Sequence, residues 1–394
     1  MDLLINIESL QPPRTGIGTY TAALLDAYGR QGAPERIHAY AHRRVQPWPG
    51  AWGKPLHDKR SRQGLRQRIT PMLYRVAATW DWPYLAWRQL DRRAFARQAG
   101  PLAQHAVYHE PNFILKPFEG PSVVTVHDLS HIRFPACHPG ARVAFLDRHL
   151  GNSLARADHV ITVSETIRRE VIETFSLDAS RVSSIPLGVS DLFRPAEKEA
   201  LDRLESKFGL TPGGYVLCIA TREPRKNLVT LFQAFELLPA PLRERYPLVL
   251  CGARGWHADE IDAHAARLSR RGWLRQLDYV PESALPTLYS GAAVFAFPSV
   301  YEGFGLPALE AMACGTPVVV GHGTAMAEFA GDSAVTCQAT DPESLSERIR
   351  WLLEDRQARR EYAGRAIERA RRFSWRRCAD AHLEIYRNVE ARQR

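Results

Sequence analysis

Short apolar runs that end in polar residues, each followed by a stretch with helical spacing, recur along the chain, and no other feature narrows its fold as much. The runs are DLLINI at 2–7, HAVYHE at 105–110, PSVVTVHD at 121–128, ADHVITVS at 157–164 and VSSIPLGV at 182–189. Apolar strands alternating with helices read as a parallel sheet covered on both faces. After DLFRPAEKE the pattern starts again: GYVLCIAT, a helix over NLVTLFQAFELL, YPLVLCG, a helix over HADEIDAHAARLSRR, then LDYV, AAVFAFPS and the VVV of 318–320. A chain of 394 residues exceeds what one ordinary core organises. The reading is therefore α/β, with two doubly wound, Rossmann-like domains, 1–192 and 193–374, facing across a cleft and joined by PLGVSDLFRP.

In open sheets of this kind, ligands sit at the carboxyl ends of the strands. Gly16, His109, His127, Ser164, Arg225 and Glu302 fall at such ends, which places the chemistry in the cleft. The densest signal is VYEGFGLPALEAMACGTPVVVG at 300–321, where a glycine turn enters a helix between two acids, Glu302 and Glu310. Pro307 suits a first helical turn, and Gly315 followed by Pro317 ends the helix. Gly303 and Gly305 predict a close backbone approach to a ligand, and the helix N-terminus offers N–H groups to a phosphate. The two acids then flank the anion and accept hydrogen bonds from hydroxyls on its two sides. A sugar nucleotide has that layout: ribose, diphosphate, sugar.

ATREPRKN supplies a second cluster, Arg222, Arg225 and Lys226, at another strand end. Such cations suit a diphosphate, and no DxD pair stands in the sequence to hold a divalent metal. The alternative for them is a surface charge run. The turn RTGIGTYT brings Gly16 and Gly18 to the first strand end, open to phosphate or acceptor. TVHDL brings His127 and Asp128 to another strand end; a lone histidine is more often structural, but His109, Glu110 and Asn112 at neighbouring strand ends favour a polar pocket on the acceptor side.

Six widely spread cysteines without a CxxC pair speak against a zinc knuckle or a disulfide framework. No signal peptide or membrane span is legible, so a cytoplasmic protein is expected. The net charge is +9, and residues 54–97 hold eleven Lys/Arg against three Asp, interleaved with Trp and Tyr. Two readings fit that segment, a solvated helical face or a contact with an anionic membrane surface. No nucleic-acid-binding motif accompanies it.

These residues resemble those of the retaining GT-B glycosyltransferases of family GT4, over nearly the full length. The most specific element is E-x7-E, Glu302 to Glu310, supported by HDLSHIRFP, ADHVITVSETIRRE, IPLGVSDLFRP and EPRKN. The last group looks most like bacterial mannosyl- and D-rhamnosyltransferases of O-antigen and exopolysaccharide synthesis. The resemblance implies that Glu310 holds ribose hydroxyls and Glu302 the donor sugar. The backbone amides at Gly305 and Leu306, with Arg225 and Lys226, would meet the diphosphate, and Gly303 and Phe304 are counted with the donor-binding residues. It also implies His127 beside the transferred sugar, Gly16 near the phosphates and Val280 at the base. Some members place an arginine where this chain has Ala220, and Arg222 is then the substitute. Residues 375–394 look like the helix that crosses back to the first domain. The resemblance further implies retention without an enzyme nucleophile, no cofactor and no metal. The expected partners are a nucleotide-sugar donor, GDP-linked or else UDP- or ADP-linked, and a lipid-linked saccharide acceptor met at the inner face of the membrane. A sugar-nucleotide epimerase, a phosphorylase or a non-catalytic binding scaffold are the competing readings.

Overall fold

In the computed structural model, which describes residues 1–11, 15–48, 81–277 and 280–393, each apolar run becomes a short strand. The first sheet comprises β1 (Asp2–Asn6), β2 (Arg36–Ala41), β3 (Arg44–Trp48), β4 (Ala106–Glu110), β5 (Ser122–Val126), β6 (His159–Thr162) and β7 (Val182–Ser184). Its order is β3-β2-β1-β4-β5-β6-β7, parallel except for the β2–β3 hairpin. The second comprises β8 (Val216–Ile219), β9 (Leu248–Cys251), β10 (Leu274–Leu277), β11 (Val294–Phe297), β12 (Val318–Gly321) and β13 (Val335–Cys337), in the order β10-β9-β8-β11-β12-β13. Every pairing in it is parallel. Central strands such as β1, β4, β5, β9, β11 and β12 are buried at every residue, which is why they read as uninterrupted apolar runs.

The elements that the sequence conceals lie at the edges. RIHAYA and RVQPW form the edge hairpin, partly exposed and rich in His, Gln and Arg. Where LDYV is expected as a strand, the described strand is β10, LRQL, which shares Leu277 with it and whose Arg275 and Gln276 face solvent; Asp278 and Tyr279 lie outside the described residues. An edge strand pairs on one side only and needs no apolar run.

The segment after Phe193 leads into the second domain, and helix Trp375–Gln393 returns to the first, lying along helix Gly16–Gln31. Gln31 donates to Asp380 at 2.8 Å, and the aromatic faces of both helices are buried together. Gly188 is required at this crossing: a Cβ there would lie 2.1 Å from the amide nitrogen of Trp375. Among the described residues no helix is long and apolar enough to cross a membrane. Of the basic segment 54–97, residues 54–80 and the side chains of 81–89 lie outside the described residues. In the described part of helix Asp81–Ala99, Arg92, Arg93 and Arg97 are exposed while Asp91 and Phe95 point inward.

Candidate active site

Strand order reverses between β8 and β11, and ligands of open sheets bind where that happens. The loop after β8 carries Glu223, Arg225 and Lys226, and the loop after β11 carries Ser299 and Glu302. Although 76 residues apart, the two loops interlock. Lys226 Nζ donates to Glu302 Oε1 at 2.5 Å, and Arg225 lies 3.2 Å from Glu302 Oε2. Ser299 Oγ donates to Glu302 Oε1 at 2.6 Å, and Glu223 takes the other side of the Arg225 fork at 3.1 Å. Two cations thus stand against two carboxylates, all nearly buried. Burial opposes ionisation of Glu302, but Arg225 and then Lys226 outweigh it and hold the carboxyl below its usual range. Burial also works against the charge of Arg225, which Glu302, Asp128 and Glu223 more than restore.

Glu302, expected beside the donor sugar hydroxyls, holds the two cations with its oxygens in this structure. One expectation is corrected here. Arg222 does not join them: it turns the other way, to Asp262 at 3.1 Å, because it sits on the β9 side of the loop. Glu223 was not singled out in the sequence; its place in EPRKN, two residues before Arg225, was the available signal.

Helix Leu306–Ala313 begins directly after this cluster. Gly305 at its cap has φ 103°, and a Cβ there would strike Met326. A Cβ on Gly303 would fall 1.8 Å from the carbonyl oxygen of His127, across the cleft. The glycines therefore serve domain-to-domain and internal contact, not only approach to a ligand. Phe304 was expected beside the donor, but its ring is buried against Phe329, 4.7 Å between centroids, because the adjoining aromatic pocket draws it inward. Its backbone alone remains at the turn. Leu306 is partly buried, and Val280 is buried just past Leu277. Glu310, one turn into the helix, receives a hydrogen bond from Tyr289 at 2.8 Å. Burial pushes its carboxyl up to about 7.

The first domain presents a different surface. His127 Nε2 lies 2.8 Å from the Pro111 carbonyl and therefore carries the proton, and the ring meets the edge of Tyr20 with centroids 5.0 Å apart. Burial keeps His127 less basic than usual. Asp128 accepts from the amide and hydroxyl of Ser130, and despite burial the Arg225 charge holds it ionised. Gly16 opens helix Gly16–Gln31 with free space around it, and Gly18 is buried.

His109 is not on the acceptor side. It is fully buried, and both its nitrogens are engaged under helix Trp375–Gln393. The partners fix a single direction for every proton. His382 Nδ1 faces the Cys378 carbonyl, so it donates there and its Nε2 accepts from Tyr20. The Tyr20 oxygen then accepts from Thr125, Thr125 accepts from His109 Nε2, and His109 Nδ1 accepts from Tyr386. Tyr28 donates to Tyr386 and ends the chain. Glu110 belongs to a separate polar recess: it accepts from Asn6 at 2.8 Å, Tyr108 at 2.7 Å and the Asn112 amide at 3.2 Å. Burial pushes it up to about 7. Lys116 beside it binds Asp91 and Glu8, and Asn112 itself is exposed.

Across the cleft, Ser164 donates to the Gly303 carbonyl at 2.7 Å. Tyr301 donates to Glu170 and accepts from the Leu129 amide. Glu328 accepts from the amides of Glu165 and Thr166, at the N-terminus of helix Glu165–Phe175. These contacts appose the cluster at Glu302 to His127 and Asp128.

Two family models match the chain, Glycosyltransferase Family 4 over residues 14–191 and Glycosyl transferases group 1 over 204–372. An O-antigen chain mannosyltransferase B of Escherichia coli is 35% identical over 98% of this chain and the whole of that protein. Among solved structures, WaaG, a glycosyltransferase involved in lipopolysaccharide biosynthesis, matches with TM-score 0.69 at 16% identity, covering 98% of this chain and 99% of that one. HepE of Anabaena in complex with UDP-glucose matches with TM-score 0.69 at 18% identity and the same coverage. With two doubly wound sheets facing across a cleft and this similarity over the full length, the chain belongs to the GT4 family of GT-B glycosyltransferases.

Proposed function

We propose that the protein transfers a mannosyl or D-rhamnosyl unit from a GDP-sugar to a lipid-linked saccharide in O-antigen or related polysaccharide synthesis. The observation that carries this is the placement of Arg225, Lys226 and Glu302 at the β8/β11 switch point, beside a helix N-terminus, with Glu310 one turn beyond. That spacing suits a diphosphate between ribose and sugar. Full-length similarity to an O-antigen mannosyltransferase supports the substrate class.

In this reading Glu310 accepts from the ribose hydroxyls, and the diphosphate lies on the helix N-terminus against Arg225 and Lys226. The bond from the anomeric carbon to the phosphate oxygen breaks while the acceptor oxygen bonds to the same face. The departing phosphate oxygen takes the acceptor proton, so configuration is retained and a nucleoside diphosphate leaves. Arg225 and Lys226 stabilise the charge that grows on that oxygen, in a site where burial strengthens the interaction. Glu302 and Glu223 hold the two cations in place, and Glu302 can still reach a sugar hydroxyl. His127 lines the opposite wall. No metal is needed for these steps.

A UDP-linked donor is the second reading, favoured by the UDP-glucose complex of a structural neighbour. Incubation with GDP-mannose, GDP-D-rhamnose, UDP-glucose and ADP-glucose on a lipid-linked acceptor decides between them, with product configuration read by NMR. Turnover should persist in EDTA. An inverted product, or activity that needs added Mg, would overturn the proposed mechanism. Membrane contact through 54–97 is tested separately by sedimentation with anionic and neutral vesicles; equal binding to both would reject it.

A further inference from the structure

Glu310 owes its geometry to a residue outside every motif read from the sequence. Tyr289, on helix Leu285–Ser290, is fully buried, with Phe193 and Phe295 packed edge-on against its ring at 5.9 and 5.5 Å between centroids. Its backbone is fixed as well, since Thr316 donates to the Tyr289 carbonyl at 2.5 Å. A ring so enclosed would fill this space equally well as phenylalanine. Among the described residues the hydroxyl has one partner, Glu310 Oε2. The other carboxylate oxygen, Oε1, receives no hydrogen bond from the described residues, and Glu310 itself is partly exposed.

We infer that Tyr289 is a positioning residue for nucleotide recognition: it ties one oxygen of Glu310 so that the other is held toward the ribose hydroxyls. The inference rests on the nucleotide-sugar reading above. A glutamate on a helix has several rotamers, and ordering it on binding weakens affinity; a prior hydrogen bond removes that cost. Tyr289 also governs the charge of Glu310. The titratable groups facing this carboxyl are Tyr289, Cys314 at the end of its own helix, and Glu282; no described cation pairs with it. Burial and Glu282 favour the protonated form, and the Tyr289 hydroxyl opposes them. The ionised form accepts from two hydroxyls, so nucleotide binding weakens as pH falls through 7. Removing the hydroxyl raises that midpoint.

The test measures binding of GDP, UDP and ADP, and of the 2′,3′-dideoxy form of whichever binds, by calorimetry between pH 5.5 and 9. It compares wild type, Tyr289→Phe, Glu310→Gln and the double variant. Tyr289→Phe should bind the ribonucleotide about five- to tenfold more weakly at pH 7, with the pH midpoint moved upward. The dideoxy nucleotide should bind both proteins equally, and Tyr289→Phe should have no effect in the Glu310→Gln background. Unchanged affinity and midpoint in Tyr289→Phe, or an equal loss with the dideoxy nucleotide, would overturn the positioning role while leaving the nucleotide site intact. If none of the three nucleotides binds wild type, the nucleotide-sugar reading falls first and this inference with it.

Discussion

The two walls of the cleft solve the problem of burying polar groups in opposite ways. The second domain buries charges: Arg225 and Lys226 against Glu223 and Glu302, each partner within ion-pair distance of another. The first domain, beside its own charges at Asp128 and Lys116, buries neutral groups in a single proton-ordered chain, from Tyr28 through Tyr386, His109, Thr125 and Tyr20 to His382. A buried ion pair contributes little net stability, because desolvation offsets its attraction, but it keeps charge available for a substrate. A satisfied neutral chain does the reverse. It fixes structure, here the return helix against helix Gly16–Gln31. Removing groups from the first set should therefore harm turnover, and from the second, stability.

The largest effect tests the charged wall directly. Arg225→Ala with Lys226→Ala should lower kcat by about 10³-fold or more, as expected when positioned groups that stabilise a leaving anion are lost. Melting temperature should fall as well, because Glu223 and Glu302 are left buried without their cations, while circular dichroism still shows a folded protein; a collapse of the fold would show that the cluster is structural. Glu302→Gln should come next, with kcat down about 10²-fold and binding of free nucleoside diphosphate kept or tightened, because the cations lose a competitor. Weaker nucleotide binding in that variant would reverse the assignment. Glu310→Ala should weaken nucleotide binding by about 1.5–3 kcal/mol, roughly 10- to 100-fold, measured by calorimetry.

The smallest effect on catalysis belongs to the neutral wall. His382→Phe should change kcat less than threefold yet destabilise the fold by about 1–2 kcal/mol, since Tyr20 is left with its proton unpaired in the interior. The pH dependence carries a sign. Burial lowers His382 to about 4 and lowers His109 also, below the ordinary value near 6.5. Between about 6.5 and 4 the unfolded chain binds protons that the folded one refuses, so stability falls as pH drops through that window. Each histidine contributes a slope of about 1.4 kcal/mol per pH unit, and His382→Phe should remove one share. Urea titrations at pH 7 and 5 check this; an unchanged slope would mean that His382 is protonated in the folded state.

Much of the fold was legible in the residues, and the reason is burial. β1, β5 and β11 lie in the middle of their sheets, so DLLIN, SVVTV and VFAF had no polar side to hide. RIHAYA and LRQL sit near or at sheet edges and carry no apolar run to read as a strand. Glu302, Glu310, Arg225 and Lys226 were legible because glycines, a helix start and a strand end surround them locally. Their mutual geometry was not: Lys226 meets Glu302 only because β8 and β11 are neighbours, a fact of strand order rather than of either loop. His109 stood at a strand end like His127, and strand position alone does not separate their roles. The return helix does, by placing Tyr386 at 2.8 Å from one and leaving the other at the cleft. Periodicity and local turn chemistry thus determined the two sheets and the residue types of the site. Pairings between distant segments, which cost chain entropy and form only when both domains have folded, decided which of those residues hold a ligand and which hold the protein together.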